Sequence, residues 1–165
     1  MVLEKCFKNV YIALHNVYSI NRVVELAKLV YGLGFENFIV TKAMGAAAQE
    51  GVPEAQKLAI KKGKRFFYLN DLKDAIEVLN FRKVYLILPR IWAKSTLDVN
   101  DILSLLEEGS KVLLVIGGSE PGLSKRDMEL GEPVSVPDIK EDVGPVPLIA
   151  IALYSLLKAA STPAT

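Results

Sequence analysis

The chain alternates short apolar runs with longer stretches in which apolar residues recur every three or four positions. That alternation predicts a layered α/β domain. Residues 10–14, reading VYIAL, have the length and apolarity of a buried strand. Over residues 20–33, Val23, Val24, Ala27, Val30 and Tyr31 share one helical face, and Gly32 and Gly34 stop the helix. Residues 37–40 give a second strand. Residues 41–51 are small and flexible in character and read as a surface loop, after which Pro53 opens a helix reaching Lys62. Further strands are predicted at 65–68, 83–88, 111–116 and 134–136, and further helices at 71–79, 98–108 and 147–160. Strands alternating with helices imply a mostly parallel sheet with helices on both faces. Ligands bind such sheets at the carboxyl ends of strands. Three of those ends carry suggestive residues: Pro89 and Arg90, the segment 117–123, and the segment 137–147.

The last predicted helix is apolar nearly all round, with Leu148, Ile149, Ile151, Leu153, Leu156 and Leu157. Such a helix needs cover on both sides, so core on one face and a second copy of the chain on the other is expected. The run 143–157 is shorter than the ~20 residues a bilayer needs and holds two prolines, so it reads as a helix of a soluble protein.

Composition narrows the function classes. With 165 residues, 51% hydrophobic and 24% charged, the chain fits one folded domain over 1–160 with a frayed tail at 161–165. A net charge of +1 supplies no whole-molecule field toward nucleic acid, so any RNA contact must come from a local patch. Lys57, Lys61, Lys62, Lys64 and Arg65 cluster around one helix end and form either such a patch or a solvated face. Cys6 is the only cysteine, which excludes an intrachain disulfide and a cysteine-based zinc site within one chain; no metal is expected. His15 is the only histidine. At the end of the first strand it either takes part in catalysis or simply hydrogen-bonds a neighbour. The N-terminus lacks the layout of a signal peptide, so a cytoplasmic location is expected.

The segment 115–125, VIGGSEPGLSK, runs from a strand into glycines. Glycines there either bring the backbone close to a ligand or merely allow a strand-to-helix turn. The segment lacks the spacing of a P-loop and of a dinucleotide fingerprint.

These residues resemble the second motif of the SpoU branch of SPOUT methyltransferases. The segment 134–159, VSVPDIKEDVGPVPLIAIALYSLLKA, is similar to the third motif, with Pro137, Ala150, Leu153 and Tyr154 at matching spacing. Asn16 and Val17 resemble the pair that ends the family's first strand. The resemblance implies a Rossmann-like sheet with a C-terminal trefoil knot, a homodimer built on the C-terminal helix region, an RNA substrate and S-adenosylmethionine as cofactor. It places the cofactor against Leu88, Pro89, Arg90, Ile116, Gly117, Gly118, Ser119, Gly122, Leu123, Val136, Pro137, Ile139, Pro145 and Val146. Arg22 and Glu120 are the implied catalytic residues, although Glu120 could equally hold a helix N-terminus. The sequence departs from the family where Ala27 or Lys28 stands near its helix arginine, and where Gly144, Pro145 and Val146 replace its Ser-Leu-Asn. Two expectations follow: an S-adenosylmethionine-dependent RNA methyltransferase, or an RNA-binding protein of the same fold that has lost catalysis.

Overall fold

A computed structural model describes residues 1–119 and 122–162. Seven strands form one sheet in the order β3-β2-β1-β6-β4-β7-β5, and every pairing is parallel. The strands are β1 (Val10–Val17), β2 (Asn37–Ala43), β3 (Arg65–Leu69), β4 (Lys83–Ile87), β5 (Ser95–Thr96), β6 (Val112–Gly117) and β7 (Glu132–Ser135). The helices are α1 (Val2–Asn9), α2 (Ile20–Gly32), α3 (Val52–Lys62), α4 (Leu72–Leu79), α5 (Val99–Glu107), α6 (Lys125–Met128) and α7 (Pro145–Ser161).

The central strands β1 and β6 are apolar runs because both of their faces are covered. On one face Ile12, Leu14, Leu114 and Ile116 meet α2, α5 and α7 through Leu26, Val30, Ile102 and Leu153. On the other face Tyr11, Ala13, Leu113 and Val115 meet Leu72 and Ala75 of α4, with Leu123 and Met128 packed at the edge. Leu114 is fully buried. Leu114→Ala should cost about 3 kcal/mol of stability by leaving a cavity, measured by urea unfolding.

Two predicted boundaries move for packing reasons. The expected loop over 41–51 instead completes β2 and then turns through Ala47–Gly51, a wide helical turn that runs into α3. Its small residues allow this: a Cβ on Gly51 would come within 3.2 Å of the Val23 side chain. β1 extends past residue 14 to Val17, carrying His15 into the interior, where it is 1% exposed.

The last helix faces the core with Leu148, Ile149, Ala152, Leu153 and Leu156, while Ile151 and Tyr154 face outward. Among the described residues no helix is long and apolar enough to cross a membrane.

Candidate functional site

The carboxyl ends of β4 and β6 open into a cleft of about 590 Å³, bounded on its far side by the start of α7. Ile87, Leu88, Pro89, Ile116, Leu123 and Leu148 give it apolar walls. Arg22, Ser119, Ser124, Lys125 and Asp142 add polar groups. Helix α2 starts from the Ser19 cap, and Arg22 in its first turn donates from Nη1 to the Gly118 carbonyl at 2.7 Å. Asp142 is occupied locally, its Oδ1 accepting from the Gly144 amide at 2.8 Å.

Many of the expected site residues gather here: Arg22, Leu88, Pro89, Ile116, Gly117, Ser119, Gly122, Leu123 and Pro145 line the cleft. Others do not. Val136 and Pro137 line a separate pocket with Leu97 and Val99. Arg90 is exposed in a short turn after β4, and Ile139 packs on the core edge. Val146 is half-buried and does not line the cleft. Glu120 lies outside the described residues. Lys57, Lys61, Lys62 and Lys64 lie in α3 or just after it, and Arg65 begins β3 at the opposite, amino-terminal edge of the sheet. Lys57 pairs with Glu54 and Arg65 with Glu36, as on an ordinary solvated face.

The glycines of 115–125 serve packing before any ligand. A Cβ on Gly117 would stand 2.6 Å from the Gly122 Cα, and one on Gly118 would stand 2.7 Å from the Val17 Cβ. The chain folds back on itself here and lies flat against the end of β1. Gly118 donates to the His15 carbonyl at 2.8 Å, and the Ser119 hydroxyl donates to the Asn16 carbonyl at 2.9 Å.

Beside the cleft lies a polar cluster that sequence reasoning missed. His15, Asp71 and Asp127 bring one ligand atom each to within 4.8 Å of one another. His15 comes from the end of β1. Asp71 caps α4, its Oδ1 accepting from the Leu72 amide at 2.8 Å. Asp127 is held by a capping box in α6: the Ser124 side chain accepts from the Asp127 amide, and Asp127 Oδ2 accepts from the Ser124 amide. Ser124 and Lys125, in the same turn, form part of the cleft wall. His15 Nδ1 lies 2.7 Å from the Thr41 hydroxyl and Nε2 lies 3.1 Å from Asp127 Oδ2.

Burial pushes the His15 imidazole below its ordinary value of 6.5, against the pull of the Asp127 and Asp71 carboxylates, so the ring is neutral near pH 7. Burial pushes Asp127 up, but the Ser124 amide and His15 outweigh it and hold the carboxyl below the usual range. Both shifts act in the same direction. The unfolded chain binds more protons than the folded one as the pH drops below 6.5, so stability is lost on acidification. The melting temperature should fall between pH 7.5 and pH 5, and His15→Gln should flatten that dependence, as measured by thermal denaturation across the range.

The fold defines a class: an α/β protein built like the SpoU methyltransferases. The structure matches a crystal structure of a "Probable Methyltransferase" from Bordetella pertussis Tohama I with a TM-score of 0.72 and 18% identity, covering 96% of this chain and 98% of the other. It matches the SpoU methyltransferase AviRb from Streptomyces viridochromogenes with a TM-score of 0.66 and 15% identity, over 92% and 60%. At these identities the likeness is one of fold alone.

The chain itself belongs to the family described as "RecB-family nuclease (DUF2122)", whose model matches residues 45–155. It is 40% identical over 145 residues to the "Putative type II restriction enzyme ApeKORF2002P" of Aeropyrum pernix, covering 88% of this chain and 90% of that protein. It is 34% identical over 151 residues to MjaORF1200P of Methanocaldococcus jannaschii, which carries the same description, over 92% and 98%.

These findings correct the expectation of an S-adenosylmethionine-dependent RNA methyltransferase. They equally correct its alternative, an inactive RNA-binding protein, and with both go S-adenosylmethionine as cofactor and RNA as substrate. The physical reason is that the glycine and proline turns encode close backbone approaches in the fold, and not what the cleft takes. The expectation of no metal is corrected by the His15, Asp71 and Asp127 cluster.

Proposed function

We propose that this chain is a divalent-cation-dependent nuclease acting on DNA, with His15, Asp71 and Asp127 holding the cation. The observation that carries the proposal is the convergence of those three ligand atoms within 4.8 Å beside a cleft bearing Arg22 and Lys125. Membership of a family described as nucleases, and relatives described as type II restriction enzymes, support DNA as the substrate.

The donor set fits. One imidazole nitrogen with two carboxylates suits Mn²⁺ and related divalent ions. The Thr41 hydroxyl can donate to or accept from Nδ1, so His15 can hold either neutral tautomer. Without a cation, Nε2–H donates to the Asp127 carboxylate. With one, Nδ1–H would donate to the Thr41 hydroxyl, leaving the Nε2 lone pair and the two carboxylates to hold the cation. The chemistry a bound cation supplies is polarisation of a phosphoryl oxygen.

The protein's own groups do the rest. The Ser124 amide keeps Asp127 ionised and oriented. Burial disfavours the charged form of His15, which leaves a neutral nitrogen free to act as a ligand. Arg22 and Lys125 offer positive charge to a phosphodiester strand laid across the cleft mouth. Incubating the protein with supercoiled plasmid should give nicked or linear DNA in Mn²⁺ and none in EDTA. Intact plasmid at every divalent ion tried would contradict the proposal.

We further infer a C-terminal segment threaded through the connection between β4 and β5, as in the SPOUT resemblance. The support is that β7 lies between those two strands although it follows both in the chain. A crystallographic trace with that segment outside the 88–98 connection removes this inference. An intracellular location follows from the DNA substrate proposed.

A further inference from the structure

We propose that the cleft between the ends of β4 and β6 takes a single unpaired nucleotide drawn out of the DNA duplex. The inference rests on the nuclease reading and names what that site must admit. A volume of about 590 Å³ is the size of a small-molecule pocket, enough for one nucleotide. Its chemistry is divided as a nucleotide is divided. Leu88, Pro89, Ile116 and Leu123 offer flat apolar contact to a base, with Trp92, itself 68% exposed, standing at the edge. Arg22 and Lys125 place cationic heads on the same lining, where a phosphate would lie. Arg22 is pre-positioned, since its Nη1 is anchored on the Gly118 carbonyl at 2.7 Å. The Asp142 carboxylate does not oppose this charge freely, because it is engaged with the Gly144 amide.

The cleft also adjoins the proposed cation site through one short turn: Ser124 and Lys125 line the cleft, and Asp127 turns its carboxylate toward His15. A base seated in the cleft would therefore place its own backbone phosphate against Lys125, two residues from Asp127. This arrangement favours cleavage at sites where a base leaves the stack easily, such as a mismatch.

The test is a duplex oligonucleotide carrying one 2-aminopurine, titrated with protein in EDTA so that no cleavage intervenes. Stacking quenches this base, so extrusion into the cleft should raise its fluorescence several-fold, more at a mismatch than at a matched pair. Leu88→Trp, which fills the half-buried wall, should abolish the rise while anisotropy still reports DNA binding. Free deoxyadenosine monophosphate, which needs no variant, should reverse the rise in the unaltered protein. Fluorescence that stays flat on binding, or a rise indifferent to both the variant and the mononucleotide, overturns the inference. Cleavage in Mn²⁺ with no fluorescence rise overturns this inference and leaves the nuclease reading standing. A rise with no cleavage at any divalent ion overturns the nuclease reading and leaves the cleft as a nucleotide site.

Discussion

Asp127→Asn should reduce Mn²⁺-dependent DNA cleavage by at least about 100-fold while leaving the protein folded. The reasoning separates two jobs of one carboxylate. As a cap, Asp127 accepts from the Ser124 amide at 2.9 Å, and an asparagine oxygen can do the same. As an anion within 4.8 Å of Asp71 and His15, it supplies a negative charge that an amide lacks. The structural loss should therefore stay near 1 kcal/mol, whereas cation binding loses one of its two carboxylates. Parallel measurement of urea unfolding and plasmid cleavage checks both halves. A variant that cleaves as well as the parent would show that the carboxylate is only a cap.

Gly117→Ala should be the most damaging single methyl in the chain's glycine segment, costing about 2–3 kcal/mol by overpacking. The new Cβ would lie 2.6 Å from the Gly122 Cα and 2.8 Å from its carbonyl carbon, and backbone atoms cannot rotate away as a side-chain tip can. The strain would also push the cleft wall outward, since Gly117 and Gly122 both line it. Gly32→Ala is the contrast. That glycine lies in α2 with nothing within 4 Å of the added carbon, so alanine should be neutral or stabilising by about 0.5 kcal/mol through helix propensity. Denaturant midpoints of the two variants should move in opposite directions, or the second not at all. Equal losses would mean that glycine flexibility, and not the close approach of 117 to 122, sets the cost.

The main elements were legible because β1, β2, β4 and β6 are buried on both faces and so are written as unbroken apolar runs. The helices between them carry one clean apolar face each. What escaped was short or weakly patterned. In α1 the apolar face of Val2, Leu3, Cys6 and Phe7 spans only eight residues, and Cys6 alone is fully buried. β5 is two exposed residues long, and α6 is four residues with none buried. The likeness of fold to SpoU methyltransferases was legible in the glycine and proline turns, and the structure bears out that much.

The cation cluster was not legible, for a topological reason. His15 and Asp127 are 112 residues apart and meet only because β1 pairs with β6, bringing His15 opposite Gly117. Asp71 caps α4, a common role for an aspartate at a helix start, so nothing about it in the sequence points to a cation. Two signals were nonetheless present: a lone histidine ending an apolar strand, and Ser124 three residues before Asp127 in the spacing of a capping box. The cleft's expected residues were half gathered, because Leu88, Ile116 and Leu123 follow from strand ends, whereas which side Val136 faces depends on the register of β7.

Because His15 is the only histidine in the sequence, its imidazole nitrogens can be followed without assignment ambiguity in the ¹⁵N-labelled protein. On titration with diamagnetic Zn²⁺ at pH 7.5, Nε2 should lose its proton and move to the shift of a ligating nitrogen, while Nδ1 becomes the protonated partner of Thr41. An imidazole that keeps its Nε2–H toward Asp127 through the whole titration would contradict the assignment of this cluster as the cation site.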